Sequence, residues 1–94
     1  MNLEEGVLYK FETKSCSICK MMEPMLQEFL TANPEVECVK VIATDEMDLC
    51  EKLGVMSMPT FLFIKGNDNF SISGMIEKKD FIRFTKQFLK TLWK

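Results

Sequence analysis

Val7-Leu8-Tyr9-Lys10-Phe11, then Glu12-Thr13-Lys14, then Ser15-Cys16-Ser17-Ile18-Cys19-Lys20: an apolar run leads through a few polar residues into a Cys-x-x-Cys pair. The nearly continuous run Val7 to Phe11 reads as a short strand buried on both faces. Ser17 to Thr31 reads as a helix, because Ile18, Met22, Met25, Leu26, Phe29 and Leu30 recur at spacings of three and four. The junction therefore puts Cys16 at a helix N-terminus. There the unpaired backbone N–H groups and the positive end of the dipole favour a thiolate. Cys19 lies one turn further in, close enough to close a disulfide on Cys16. Such a pair is a two-electron switch.

Working outward, Asn33-Pro34 stops the helix. Val36 to Ile42 is a second strand, with Val39 and Val41 among its β-branched residues. Thr44-Asp45 offers cap residues for a short helix over Met47, Leu49, Cys50 and Leu53, ended by Gly54. Thr60 to Ile64 is a third strand, Lys65-Gly66-Asn67-Asp68-Asn69 is turn chemistry, and Phe70 to Ser73 returns as an antiparallel fourth strand. A last helix runs from about Glu77 to Trp93, with Phe81, Phe84, Phe88 and Leu92 on one stripe. The order βαβαββα predicts an α/β fold: one domain over residues 1–94, a mixed four-stranded sheet and helices on both faces. Pro24 falls inside the first helix, where a proline costs roughly 3 kcal/mol against alanine and implies a kink or a packing demand. Pro59 directly precedes the third strand, a place where a cis bond would be a rare and deliberate feature.

Composition narrows the function classes. With 94 residues, 47% of them apolar, the chain can bury one modest core. A net charge of −2, with Lys and Arg dispersed among acids, gives no nucleic-acid footprint. Neither a membrane span nor a leader is expected from the apolar runs, which makes the cytoplasm the expected compartment. The absence of histidine excludes a Cys–His nucleophile. The remaining Cys38 and Cys50 stand in apolar patterns and lack the second Cys-x-x-Cys of a convincing zinc site, so they read as small core residues. Met21, Met22 and Met25 read as part of the first helix's core stripe, and Lys14 and Lys20 as solvated or as modest tuners of Cys16.

Cys16-Ser17-Ile18-Cys19-Lys20, Pro24, Met58-Pro59-Thr60, Lys65-Gly66-Asn67 and Gly74 together resemble the thioredoxin family, in order and spacing, from about Val7 to Leu89. The resemblance implies a thioredoxin fold with Pro59 in cis, Cys16 as nucleophile and Cys19 as resolving thiol. It also implies a substrate groove lined by Met58, Pro59 and Gly74, with Ser17, Ile18 and Met75 beside it. Lys40 falls where such proteins often carry a lysine near the active site. The implied activity is reduction of protein disulfides by a monomer that needs no cofactor, reset by a thioredoxin reductase-like donor, in electron transport and redox homeostasis.

The chain also departs from the family. Ser15 stands where a tryptophan is usual, and Ser17-Ile18 where Gly-Pro is usual. Only fifteen residues precede Cys16, fewer than the family's usual first strand and helix need. Lys10 occupies the place of the usual buried aspartate, with Glu12 two residues on and on the same strand face. A buried lysine needs a partner, and Glu12 is the nearest candidate in sequence, so Lys10 and Glu12 are read as a pair that tunes proton transfer to Cys19. Three other activities are compatible. A glutathione-dependent reductase fits the size but lacks a Gly-Gly pair after the last strand. A disulfide oxidase or isomerase would usually carry His between the cysteines. A non-catalytic docking module would keep the fold alone.

Overall fold

A computed structural model describes residues 1–92, and in it the first apolar run is the spine of the molecule. Strand β1 (Leu8–Glu12) is central, with β2 (Cys38–Ile42) parallel on one side and β3 (Thr60–Lys65) antiparallel on the other; β4 (Asp68–Ser73) completes the order β2-β1-β3-β4. Leu8 is opposite Cys38 and Glu12 opposite Ile42, Phe11 is opposite Thr60, and Thr60 is opposite Ser73. A central strand in a sheet covered by helices on both faces is buried on both, which is why Val7 to Phe11 carries no clean polar alternation.

Helices α1 (Ser17–Ala32) and α3 (Lys78–Leu92) cover one face, and α2 (Met47–Leu53) covers the other. The first face buries Leu8, Phe61 and Phe63 against Met22 and Leu26 of α1 and Phe81, Phe84 and Phe88 of α3. The second buries Tyr9, Phe11, Val41 and Leu62 with Cys50 of α2. Phe63 is central to the larger cluster, its ring centroid 4.8 Å from Phe70, 5.5 Å from Phe84 and 4.7 Å from Phe88. Each such ring contributes roughly 1.5–3 kcal/mol by leaving water.

The expected fold stands, with local corrections. Thr44 and Asp45 do not cap α2. They lie in a 3-10 turn (Ala43–Asp45), and Glu46 takes the N-cap position with no side-chain hydrogen bond to the helix. Gly54 does end α2, at a φ of 73° where a side chain would be strained. The β3–β4 turn is tighter than its polar composition suggests: pairing continues to Lys65 opposite Asp68, leaving Gly66-Asn67 as the loop. Met21 is not a core residue; it is 70% exposed, one position off the stripe that buries Met22. The last helix matches its expected phase through Leu92, and Trp93, expected at its end, lies outside the described residues.

Candidate active site

The parallel and antiparallel registers bring three chain segments to one end of the sheet. β1 ends there at Glu12, β3 begins there at Thr60 and β4 ends there at Ser73. The Cys16 loop after β1, Pro59 before β3 and Gly74 after β4 adjoin those strand ends. Gly74 donates its N–H to the Pro59 carbonyl at 2.9 Å, and the Met58–Pro59 peptide is cis. Pro59 is buried, Met58 is half-buried against the α2-side core, Ser17 is exposed, Ile18 half-buried and Met75 72% exposed. The sheet thus presents the residues named for a groove at the end that carries the cysteines.

Cys16 and Cys19 are joined in a disulfide, with Cα atoms 5.3 Å apart. Cys16 is the N-cap of α1: its backbone is extended, and its Sγ accepts the Cys19 N–H at 3.1 Å. A sulfur in that position, where an oxygen usually caps, is held against a helix terminus that favours negative charge. The two sulfurs differ in access. Cys16 is half-buried at the protein surface, whereas Cys19 is 1% exposed. One sulfur can meet a large partner and the other can meet only its neighbour. Pro24, one turn beyond Cys19, lies inside α1 on its exposed side.

Beneath Cys19 is an ionic cluster. Lys10 is 1% exposed, and its ammonium is surrounded by three oxygens: Glu23 Oε2 at 2.6 Å, the Cys19 carbonyl at 3.2 Å and Glu12 Oε1 at 3.4 Å. The Glu23 carboxylate and the Cys19 carbonyl accept hydrogen bonds from this ammonium, while Glu12 Oε1 is an ion-pair neighbour with no hydrogen-bond partner among the described residues. Lys40, from β2, donates to the other Glu23 oxygen at 2.8 Å. The expected Lys10–Glu12 pair is therefore present, but Glu23 is the closer partner and the sequence reading missed it. The signal was available: Glu23 is four residues after Cys19, hence on the same face of α1 and turned toward β1.

Partial burial alone would raise the Glu23 carboxyl. The hydrogen bonds from Lys10, Lys40 and Gln27 outweigh it and bring the pKa from 4.5 to about 2. The same carboxylate raises the Lys40 ammonium. Because protonated Glu23 is disfavoured in the folded state relative to the unfolded chain, its contribution to stability is complete above pH about 4.5 and is lost as the pH falls toward about 2. Denaturation measured across that interval should show wild type losing stability more steeply than Glu23→Gln. Equal slopes would remove Glu23 from the acid response.

Cys38 and Cys50 are not part of this pair. Cys50 is buried on the α2 side and Cys38 is half-buried at the start of β2. Burial pushes both thiols up, which keeps them protonated and slow to react.

The comparisons agree with this geometry. The sequence matches the Thioredoxin family model over residues 1–87. It is 32% identical over 75 residues to Thioredoxin-1 of Caenorhabditis elegans, covering 79% of this chain and 65% of that protein. It is 34% identical over 64 residues to the thioredoxin of Alicyclobacillus acidocaldarius, covering 67% of this chain and 61% of that one. The match thus spans less than two thirds of either relative's length. Oxidised mitochondrial thioredoxin 3 of Saccharomyces cerevisiae superposes with a TM-score of 0.76 at 27% identity, covering 89% of this chain and 80% of the other. With a cysteine pair capping α1 beside a cis-proline strand, and a family match over nearly all of its length, the chain belongs to the thioredoxin family.

Proposed function

We propose that the protein is a thiol–disulfide oxidoreductase that reduces protein disulfides. The observation that carries this reading is the unequal access of two sulfurs joined at a helix N-terminus. Cys16, as thiolate, attacks one sulfur of a substrate disulfide; a Cys16–substrate bond forms and the other substrate sulfur leaves as a thiolate. Cys19 then attacks Cys16, forms the Cys16–Cys19 disulfide and releases the second substrate thiolate. The substrate gains two electrons and the protein loses two. Met58, Pro59 and Gly74, with Ser17, Ile18 and Met75 around them, form the surface on which the substrate chain rests. Adaptable methionine side chains suit partners of differing shape. Lys10, Glu12 and Lys40 tune the site from beneath.

A second dithiol enzyme of the thioredoxin reductase type returns the two electrons. The free thiols of Cys38 and Cys50 fit a reducing compartment such as the cytoplasm. Both sulfurs of the cycle come from one chain, which suits a monomer.

The test is insulin reduction in the presence of dithiothreitol. Catalysis should bring precipitation well ahead of dithiothreitol alone; an unchanged onset would leave only a docking module with this fold. A second measurement checks the roles. In the reduced protein at about pH 7, iodoacetamide should alkylate Cys16 first, because a helix N-terminus can lower a thiol into roughly the 3.5–7.5 range. Earlier labelling of Cys19, Cys38 or Cys50 would overturn the assignment of the nucleophile.

A further inference from the structure

Charge is unevenly divided over this fold. The chain has a net charge of −2, yet α3 carries five of its twelve Lys and Arg residues and only one of its fourteen acids, Asp80. Helical spacing gathers cations that look scattered in the sequence. Lys79, Arg83, Lys86 and Lys90 recur at four, three and four residues, which makes them one stripe. The stripe is opposite the buried Phe81, Phe84 and Phe88 and is exposed along its length. Lys79 is beside Glu77 at 3.6 Å, whereas Arg83, Lys86 and Lys90 make no ion pair among the described residues. Three neighbouring cations without a counter-charge attract an anionic partner.

The stripe borders a trough whose other wall is the edge of the sheet. β4 is last in the strand order, so backbone groups on its outer side have no strand to bond. A cavity of about 340 Å³ opens between β4 and α3, and Ser71, Ile72 and Ser73 all line it. Consecutive strand residues point to opposite faces, so three in a row meet one cavity only along the strand's edge. Asp80, Arg83 and Gln87 line the helix side. Met75, from the end of the sheet that carries the cysteines, lines it too. A second cavity, of about 530 Å³, continues from Arg83 past Phe70 to Lys86 and Lys90. Asp80 lines only the first cavity, so the acid is beside Met75 and the cations extend away from it. Asp80 to Lys90 spans about 15 Å of helix, the length of roughly five residues of extended chain.

We infer that this trough prolongs the substrate surface and takes an acidic stretch of polypeptide. The segment flanking the substrate's disulfide pairs with the edge of β4 as a fifth strand and turns alternate Glu or Asp side chains toward Arg83, Lys86 and Lys90. Backbone pairing holds the segment extended, and the cations select its sequence. Side chains on one face of an extended chain recur about every 6.6–6.8 Å, close to the helical rises of about 4.5 and 6 Å between the three cations. Asp80 repels an acid close to the cysteine, so the acids stand a few residues away from it. Two observations favour a polypeptide over a lipid surface or a nucleic acid. The trough is continuous with the substrate groove at Met75, and its β4 wall offers strand pairing that neither of the others can make. The inference names a substrate class for the reductase reading and rests on that reading.

The experiment compares two cysteine peptides, each joined by a disulfide to thionitrobenzoate. One carries alternating glutamates a few residues from the cysteine, and the other carries glutamines in the same places. Each turnover of the reduced full-length protein releases one aryl thiolate. Wild type at low salt should reduce the glutamate peptide about tenfold faster at limiting concentration, as two or three exposed ion pairs allow. In about 1 M salt, where charges are screened beyond about 3 Å, the preference should shrink to below about twofold. Arg83→Glu combined with Lys86→Glu should invert the preference, and Lys52→Glu, exposed on α2, should leave it in place. Each preference is a ratio within one variant, so partial unfolding cancels. Methylating alternate backbone amides of the glutamate peptide should remove its advantage in one of the two registers. Equal wild-type rates for the two peptides overturn the proposal, as does a preference that survives the double reversal or methylation in both registers. So does retention of the protein by phosphatidylserine vesicles or a single-stranded oligonucleotide while the peptide rates stay equal. No aryl thiolate from either peptide, or from dithiobis-nitrobenzoate, would instead overturn the reductase reading itself.

Discussion

Cys16→Ser is expected to reduce insulin turnover to the background set by dithiothreitol alone, the largest functional effect predicted for any single substitution. A serine hydroxyl at a helix N-terminus keeps the cap, since its oxygen accepts the Cys19 N–H as the sulfur does now. It is not a nucleophile at neutral pH without an adjacent base to activate it. The fold should therefore survive while the first bond-forming step disappears. Cys19→Ser should behave differently: Cys16 still attacks, but nothing inside the protein can release the substrate. A covalent complex with insulin chains should accumulate and be cleared by reductant on a gel. Residual catalysis by Cys16→Ser, or equal trapping by both variants, would contradict the order of attack.

The second large effect is on stability. Phe63→Ala is expected to cost about 3–5 kcal/mol, because the side chain is nearly inaccessible and three rings pack directly on it. Domains of this kind are held by about 5–15 kcal/mol in total, so the variant loses a large part of its margin. At about 4–8 °C per kcal/mol for a domain near this size, its melting temperature should fall by well over 10 °C. Denaturant titration should show a lower midpoint at an unchanged slope, which separates lost packing from a changed unfolded state. A loss below about 1 kcal/mol would mean that the neighbouring rings collapse into the gap, and that Phe63 is not the centre of this core.

Element order was legible because the hydrophobic period changes cleanly, from continuous in β1 to helical in α1 and α3. Boundaries were less so. β1 ends at Glu12 rather than Phe11 because its limits follow backbone pairing with Ile42, and pairing leaves no side-chain signature. The same reason extends β4 back to Asp68: an edge strand can carry polar side chains on its exposed positions and still bond through its backbone. At the site, the cysteine pair was legible from local spacing, and Pro59 from its place before the third strand together with the family resemblance. Lys10 was legible as an anomaly, a charge within a buried strand. Its main partner was not legible from the strand itself, because Glu23 reaches it from α1. Met21 failed for a simpler reason. Next to a stripe residue, a one-position error in helical phase turns a core side chain into a surface one.

The position of β1 in the sheet has a consequence for how the protein is made. β1 leaves the ribosome before either of the strands it lies between: Leu8 waits for Cys38, and Lys10 waits for Phe61, before both sides are bonded. Until β3 has emerged, β1 is an open edge, the ammonium of Lys10 has no closed interior to enter, and both cysteines of the pair face water. Contacts this distant along the chain form late. A nascent chain that stops short of β3 therefore lacks the closed sheet on which α1 packs, and the burial that separates an attacking from a hidden sulfur is completed only when β3 arrives.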